Sequence, residues 1–177
     1  MVIITAMNII LIGMPACGKS MTGLLLAKKL GYHYIDSDIL IQEREKKRLF
    51  EILDEVGPEE FNLIEEEVNA SIRCINTVIA TGGSVVYGPR AMKNLDQLGT
   101  IVYIQLTCET IIERLGDFAL RGISLAPGET IQDIYDRRIP LYENYAHVTV
   151  NTEGLTLDQS CDKIIDAVME HEKEMED

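Results

Sequence analysis

The sequence has no run of apolar residues approaching the roughly 18 needed to cross a bilayer as a helix. Residues 1–6 lack both a basic start and a small-residue cleavage site, so they do not read as a signal peptide. They read instead as an upstream start, since Met7 opens the first strand pattern directly. Cysteine is sparse: Cys17, Cys74, Cys108 and Cys161 are widely spaced and form no C-x-x-C pair, which excludes a zinc ribbon and a disulfide framework. Reduced thiols and a soluble, cytoplasmic protein without a membrane partner are expected. Basic residues are also scarce, 16 against 29 acidic, for a net charge of −13. That balance excludes a nucleic-acid partner, whose phosphates require a basic face. No internal repeat or low-complexity tract occurs, apart from an acidic C-terminal tail.

What is present suits one α/β domain over residues 1–177, because 46% hydrophobic content in 177 residues supplies a full core. Apolar runs at 8–12, 34–35, 77–80, 101–105 and 148–151 read as strands. They alternate with helical patterns at 19–30, closed by Gly31, at 39–47 and at 157–172, an alternation that predicts a parallel sheet. Residues 39–74 read as a helical insert, with 49–74 in two stretches broken at Gly57 and Pro58. Residues 116–129, with Gly116, Gly122, Pro127 and Gly128, read as a mobile lid. The segment before Pro140 reads as a helix carrying Arg137 and Arg138.

Residues 13–20 read G-M-P-A-C-G-K-S, which fits the phosphate-binding pattern G-x-x-x-x-G-K-[ST], and they follow the first strand as such a loop must. The pattern predicts a nucleoside triphosphate, ATP, with Gly13, Ala16, Cys17, Gly18, Lys19, Ser20 and Met21 forming the cradle. Lys19 would neutralise phosphate charge, and the Ser20 hydroxyl would ligate Mg²⁺. Cys17 receives no catalytic role. After the second strand, Asp36-Ser37-Asp38 brings two carboxylates to the sheet edge where open α/β folds bind ligands. Asp36 would support Mg²⁺, and Asp38 would accept a proton from an attacking hydroxyl. The structural alternative is that Asp38 serves as the N-cap of the helix beginning at 39. The third strand ends in Ala80-Thr81-Gly82-Gly83-Ser84, where paired glycines allow close approach of a ligand or of backbone. Arg121, flanked by flexible residues, is the candidate for a cation that arrives on lid closure.

Taken in order, these segments together with E-I-L-D-E-V-G-P-E-E-F, an arginine pair seven apart and R-I-P-L-Y resemble the shikimate kinase family from Met7 onward. The resemblance implies a five-stranded parallel sheet of order 2-3-1-4-5, an acceptor-binding insert and a lid, with ATP and Mg²⁺ as cofactors. It implies that Arg114 lies on adenine and that Arg121 meets the phosphates. It further implies that Arg138 clamps the acceptor carboxylate, and that Phe61, Gly82 and Gly83 line the acceptor pocket. This chain departs from the pattern at Asn62, where the family has a second carboxylate-binding arginine. It departs again at Ser84, where a third glycine is usual, and at Leu53, where phenylalanine is common. Glu65, one turn after Asn62, matches an acidic residue that would ordinarily pair with that arginine, so it either carries unpaired charge into the pocket or faces water.

The expected activity is ATP-dependent phosphorylation of a hydroxyl on a small metabolite, shikimate first. The alternatives are the same chemistry on another hydroxylated acid or amino alcohol, and a non-catalytic ATP-binding protein. A nucleoside monophosphate kinase fits poorly, since it would have to rely on Arg44, Arg48 and Arg73 amid many acids. The expected state is a monomer or dimer.

Overall fold

The computed structural model describes residues 7–116, 123 and 125–176. Its centre is a five-stranded sheet of β1 (Asn8–Ile12), β2 (His33–Asp36), β3 (Thr77–Ala80), β4 (Gly99–Gln105) and β5 (Val148–Asn151). All pairings are parallel and the strand order is β2-β3-β1-β4-β5, as the resemblance implied. The burial of each strand follows its place. Every residue of β1 and β3 is buried, whereas β2 and β5, at the edges, are partly exposed. The unbroken apolar runs of the sequence are therefore those of strands covered on both faces.

Seven helices wrap the sheet among the described residues: α1 (Lys19–Leu30), α2 (Ser37–Glu45), α3 (Leu49–Ser71), α4 (Pro89–Leu98), α5 (Cys108–Leu115), α6 (Ile131–Tyr145) and α7 (Leu157–Glu176). α1 packs against α7, while α3 lies beside α4 and α2. α1 begins after Gly18 and stops at Gly31, both with positive φ, which matches the sequence reading to the residue.

Two expectations are corrected. The helix read as 39–47 spans Ser37–Glu45, because Asp36 caps it and Lys46 takes a left-handed conformation (φ 57°) that ends it. The acidic tail is helical to Glu176: Glu172 accepts a hydrogen bond from Thr100, and His171 stacks on His147 with centroids 5.6 Å apart. The break expected in the insert is present: Leu49–Ser71, numbered together as α3, is two helical stretches that meet at a kink where Gly57 (φ 79°, ψ 170°) leaves the helical conformation just before Pro58. α4 and α5 lay unread between strands, although Pro89 at the first turn of α4 and the Thr107 cap of α5 are ordinary start signals.

Asn8 is the one polar side chain in the central strand, and it is 3% exposed. Its amide donates to the carbonyls of Cys74 and Leu98, at 3.0 and 2.9 Å, and its oxygen accepts from Thr77 N at 3.0 Å. It therefore ties the segments entering β3 and β4 to β1. Asn8→Ala leaves these buried groups without partners, and chemical denaturation should show a loss of about 3 kcal/mol with an unchanged denaturant slope.

Candidate active site

The C-terminal ends of β1, β2 and β3 open into a cavity of about 580 Å³. The phosphate loop forms one wall. Ala16 and Gly18 have positive φ (62° and 100°), which turns the loop's backbone inward ahead of α1. Lys19, 7% exposed, donates from Nζ to the carbonyls of Gly13 (2.7 Å) and Met14 (2.8 Å), so its ammonium is held at the loop's centre. Cys17 is buried, with its thiol 3.7 Å from that ammonium. Ser20 and Met21 line the cavity at the start of α1. The Nη1 atom of Arg114 lies 3.9 Å from where a Gly18 Cβ would stand, so the guanidinium is beside the loop.

The paired aspartates divide their work. Asp36 is the N-cap of α2: its Oδ1 accepts from Asp38 N at 3.0 Å, while its Oδ2 accepts from Ser20 Oγ at 2.7 Å and from Tyr34 OH at 3.1 Å. The reading of Asp38 as the cap is thereby overturned, and the Asp38 carboxylate faces the cavity. Burial, then the neighbouring Asp36 charge, push the Asp38 carboxyl up to about 6, with Lys19 opposing. Ser20 and Asp36 together present hard oxygens 2.7 Å apart, a donor set that fits Mg²⁺, which takes few protein ligands and keeps the rest for water and phosphate.

The opposite wall is the Gly82–Gly83 turn, where a side chain has no room. A Cβ on Gly82 would stand 2.1 Å from Glu65 Oε1 and 3.0 Å from Asp38 Oδ1. One on Gly83 would stand 2.8 Å from Cδ of Pro15 and 3.0 Å from Arg138 Nη1. Arg138 is 1% exposed; its Nε–H donates to Tyr87 OH at 3.2 Å, and the guanidinium sits 5.3 Å from that ring's centroid. Tyr142 OH in turn donates to Gly83 O. Phe61 supplies an apolar face.

The departures noted in the sequence fall around this wall. Glu65 does not face water: it is 1% exposed, lines the cavity, and accepts a hydrogen bond from Ser84 Oγ at 2.5 Å. Asn62 lines an adjoining cavity of about 260 Å³ with Tyr87 and Arg137, and its Oδ1 is buried without a hydrogen-bond partner. Leu53 packs on the cluster of Ile41, Ile52, Phe61 and Val68. Gln42, Arg48 and Phe50 also line the main cavity, and no sequence reading had placed them there. Tyr87 was missed as well, since a lone tyrosine carries no motif. Arg121 lies outside the described residues; beyond it, Ile123 is buried and lines the cavity. Among the described residues no group of three or more His, Cys, Asp or Glu forms a metal cluster.

A phosphate loop, the Asp38 carboxylate within the same cavity and a second, glycine-walled subsite define a small-molecule kinase. The comparisons narrow the class. The sequence profile described as shikimate kinase matches residues 15–169. The shikimate kinase of Thermodesulfovibrio yellowstonii is 38% identical over 164 residues, spanning 89% of this chain and 92% of that one. That of Francisella tularensis subsp. novicida is 35% identical over 161 residues, with 89% and 92% covered. Among solved structures, shikimate kinase from Acinetobacter baumannii in complex with shikimate superposes with a TM-score of 0.84 at 27% identity, covering 94% of each chain. The chain belongs to the shikimate kinase family.

Glu65 offers a test of this electrostatic arrangement. Burial is the main cause that pushes its carboxyl up from 4.5 to about 7, and Asp38 adds to it, against the lowering effects of Ser84, Arg138 and Lys19. A carboxyl raised on folding favours the native state below its unfolded value and loses that contribution as pH rises through its folded one. Urea unfolding of Glu65→Gln should therefore show less decline in stability between about pH 4.5 and pH 7 than the parent. The difference at its largest is on the order of 3 kcal/mol.

Proposed function

We propose that this chain catalyses ATP-dependent phosphorylation of shikimate on a ring hydroxyl, with Mg²⁺, in the cytosol. The observation that carries this reading is Asp38, a half-buried carboxylate facing the same cavity as Lys19 and the Gly82–Gly83 wall. In this reading residues 1–177 act as one unit, with 39–74 as the acceptor-binding insert and 116–129 as the lid, and no second chain is needed.

The roles are assigned from the lining of the cavity together with the family resemblance. Gly13, Ala16, Cys17, Gly18 and Met21 shape the nucleotide cradle, and Arg114 covers the nucleotide beside Gly18. Ser20 and Asp36 hold Mg²⁺, which when bound supplies positive charge to the phosphates. Asp38 is largely ionised at neutral pH; it orients the acceptor hydroxyl and takes its proton as the oxygen bonds to phosphorus. Lys19, already desolvated, balances charge on the transferred group, and Arg121 from the lid joins it. Arg138, behind Gly83, attracts the acceptor carboxylate, while Phe61 and Gly82 seat the ring. Asn62 and Ser84 stand at the edge of this subsite.

The alternative acceptors draw no support from the site. An amino alcohol was attractive only if Glu65 stood unpaired, and its carboxylate is held by Ser84 and attracted by Arg138 and Lys19. A second phosphorylated nucleotide would need several arginines on the insert, yet Arg44 is tied to Glu67 at 2.6 Å and Arg73 to Ile72 O and Asn94, which leaves only Arg48 of the three lining the cavity.

In a coupled ADP-release assay with shikimate, Lys19→Ala should lower kcat by at least about a hundredfold. Asp38→Asn should lower it by roughly 10² to 10⁴ while leaving ATP affinity near that of the parent. Parental turnover in either variant, or no shikimate-dependent ADP release by the parent, would reject the proposal.

A further inference from the structure

Glu65 and Ser84 form a buried pair that the chemistry above does not use. Glu65 projects from α3 and Ser84 from the turn that follows β3, yet both line the cavity and both are nearly inaccessible, at 1% and 7% exposure. The Ser84 hydroxyl donates to Oε2, and Oε1 rests against Gly82. Asn69 Nδ2 bonds the Glu65 carbonyl at 2.9 Å, which fixes the turn of α3 from which the side chain starts. Glu65 therefore has little room to swing, and its carboxyl stands in the wall of the acceptor subsite.

The charged groups around it come from three other elements: Asp38 on α2, Lys19 on α1 and Arg138 on α6. Oε1 and Asp38 Oδ1 both lie within 3.0 Å of the one position a Gly82 Cβ would take, so they are at most about 5 Å apart, the range in which like charges interact strongly. On α3 itself, Asn62 stands one turn earlier and brings no charge.

We propose that Ser84 is a positioning residue of the acceptor subsite, holding Glu65 so that the charge on this one buried carboxyl sets how well an anionic acceptor binds. The proposal rests on the reading that the acceptor is anionic. Protonated, Glu65 is a neutral hydrogen-bonding wall; ionised, it opposes the acceptor's carboxylate and offsets the pull of Arg138. The Ser84 hydrogen bond favours the ionised form, against burial and Asp38, and so brings the carboxyl's transition to about pH 7. Removing the hydroxyl should raise it.

The test is the pH dependence of KM and kcat for shikimate between about pH 6 and pH 8.5, in the parent, Glu65→Gln, Ser84→Ala and Ser84→Thr. The parent's KM should rise roughly tenfold above neutrality, with a smaller change in kcat. Glu65→Gln should flatten that rise, Ser84→Ala should move its onset to higher pH, and Ser84→Thr should return it to the parent's position. A rise that persists in Glu65→Gln, or an onset that Ser84→Ala leaves in place or lowers, overturns the proposal. A second readout needs no acceptor: carboxyl ¹³C NMR of the ligand-free protein should show one Glu resonance titrating near pH 7, absent in Glu65→Gln and shifted upward in Ser84→Ala. If shikimate is not phosphorylated, the functional reading fails on the assay, and the NMR titration still decides whether Ser84 governs Glu65.

Discussion

The contact between the Gly82–Gly83 turn and Pro15 of the phosphate loop is the constraint on which the site depends. Gly83 lies so close to the Pro15 ring that a Cβ would overlap it, and Arg138 closes the other side. The parallel pairing of β1 with β3 brings these two loops to the same edge of the sheet, and the absence of side chains lets them touch. The distance between the nucleotide half and the acceptor half of the cavity is thus set by backbone packing, which deforms less than a surface loop. Asp38 enters from α2 against the same turn, at Gly82, so the carboxylate assigned to the acceptor hydroxyl and the lysine assigned to the phosphates are referred to one rigid wall.

That rigidity has an electrostatic consequence. Glu65, Lys19 and Arg138 are withdrawn from water around one turn, with Asp38 half-buried beside them, in a chain whose net charge is −13. Each buried charge is tolerated because the opposite sign stands nearby, which concentrates the protein's few cations where phosphate and carboxylate must bind. The two carboxyls are the strained members of this group, pushed to about 6 and about 7. The exposed surface keeps the excess acid, which suits solubility and does not reach the cavity floor. The division of labour within Asp36-Ser37-Asp38 belongs to the same economy of space: one carboxylate caps α2 and meets Ser20, the buried Ser37 hydroxyl accepts from Gly82 N at 3.2 Å, and the other carboxylate is left to the cavity.

Much of this was legible in the sequence because the informative residues are ones that local geometry demands. The phosphate loop, the strand runs at 8–12, 77–80 and 148–151, and α1 with its Gly31 stop follow from periodicity and from positive-φ positions. The order of the strands came from resemblance and not from pattern, since nothing in a strand's own residues names its neighbour. The cap of α2 was read at Asp38 and not at Asp36, because the two are equally competent caps two residues apart and only the fold shows that the helix starts at Ser37 and which oxygen meets Ser20. Glu65 was ambiguous for a similar reason: in the run Glu65-Glu66-Glu67 the exposed member and the two buried ones look alike until α3 is laid against the turn. Tyr87, Arg48 and Gln42 carry no motif, and their place at or beside the cavity is a product of tertiary packing alone.

The most direct measurement is isothermal titration calorimetry of Gly82→Ala with shikimate and, separately, with a non-hydrolysable ATP analogue. The account predicts that the methyl, forced against Glu65 and Asp38, abolishes measurable shikimate binding while the analogue binds with the parent's affinity. Parental shikimate affinity in Gly82→Ala would contradict it, because the acceptor subsite would then lie elsewhere than against this turn.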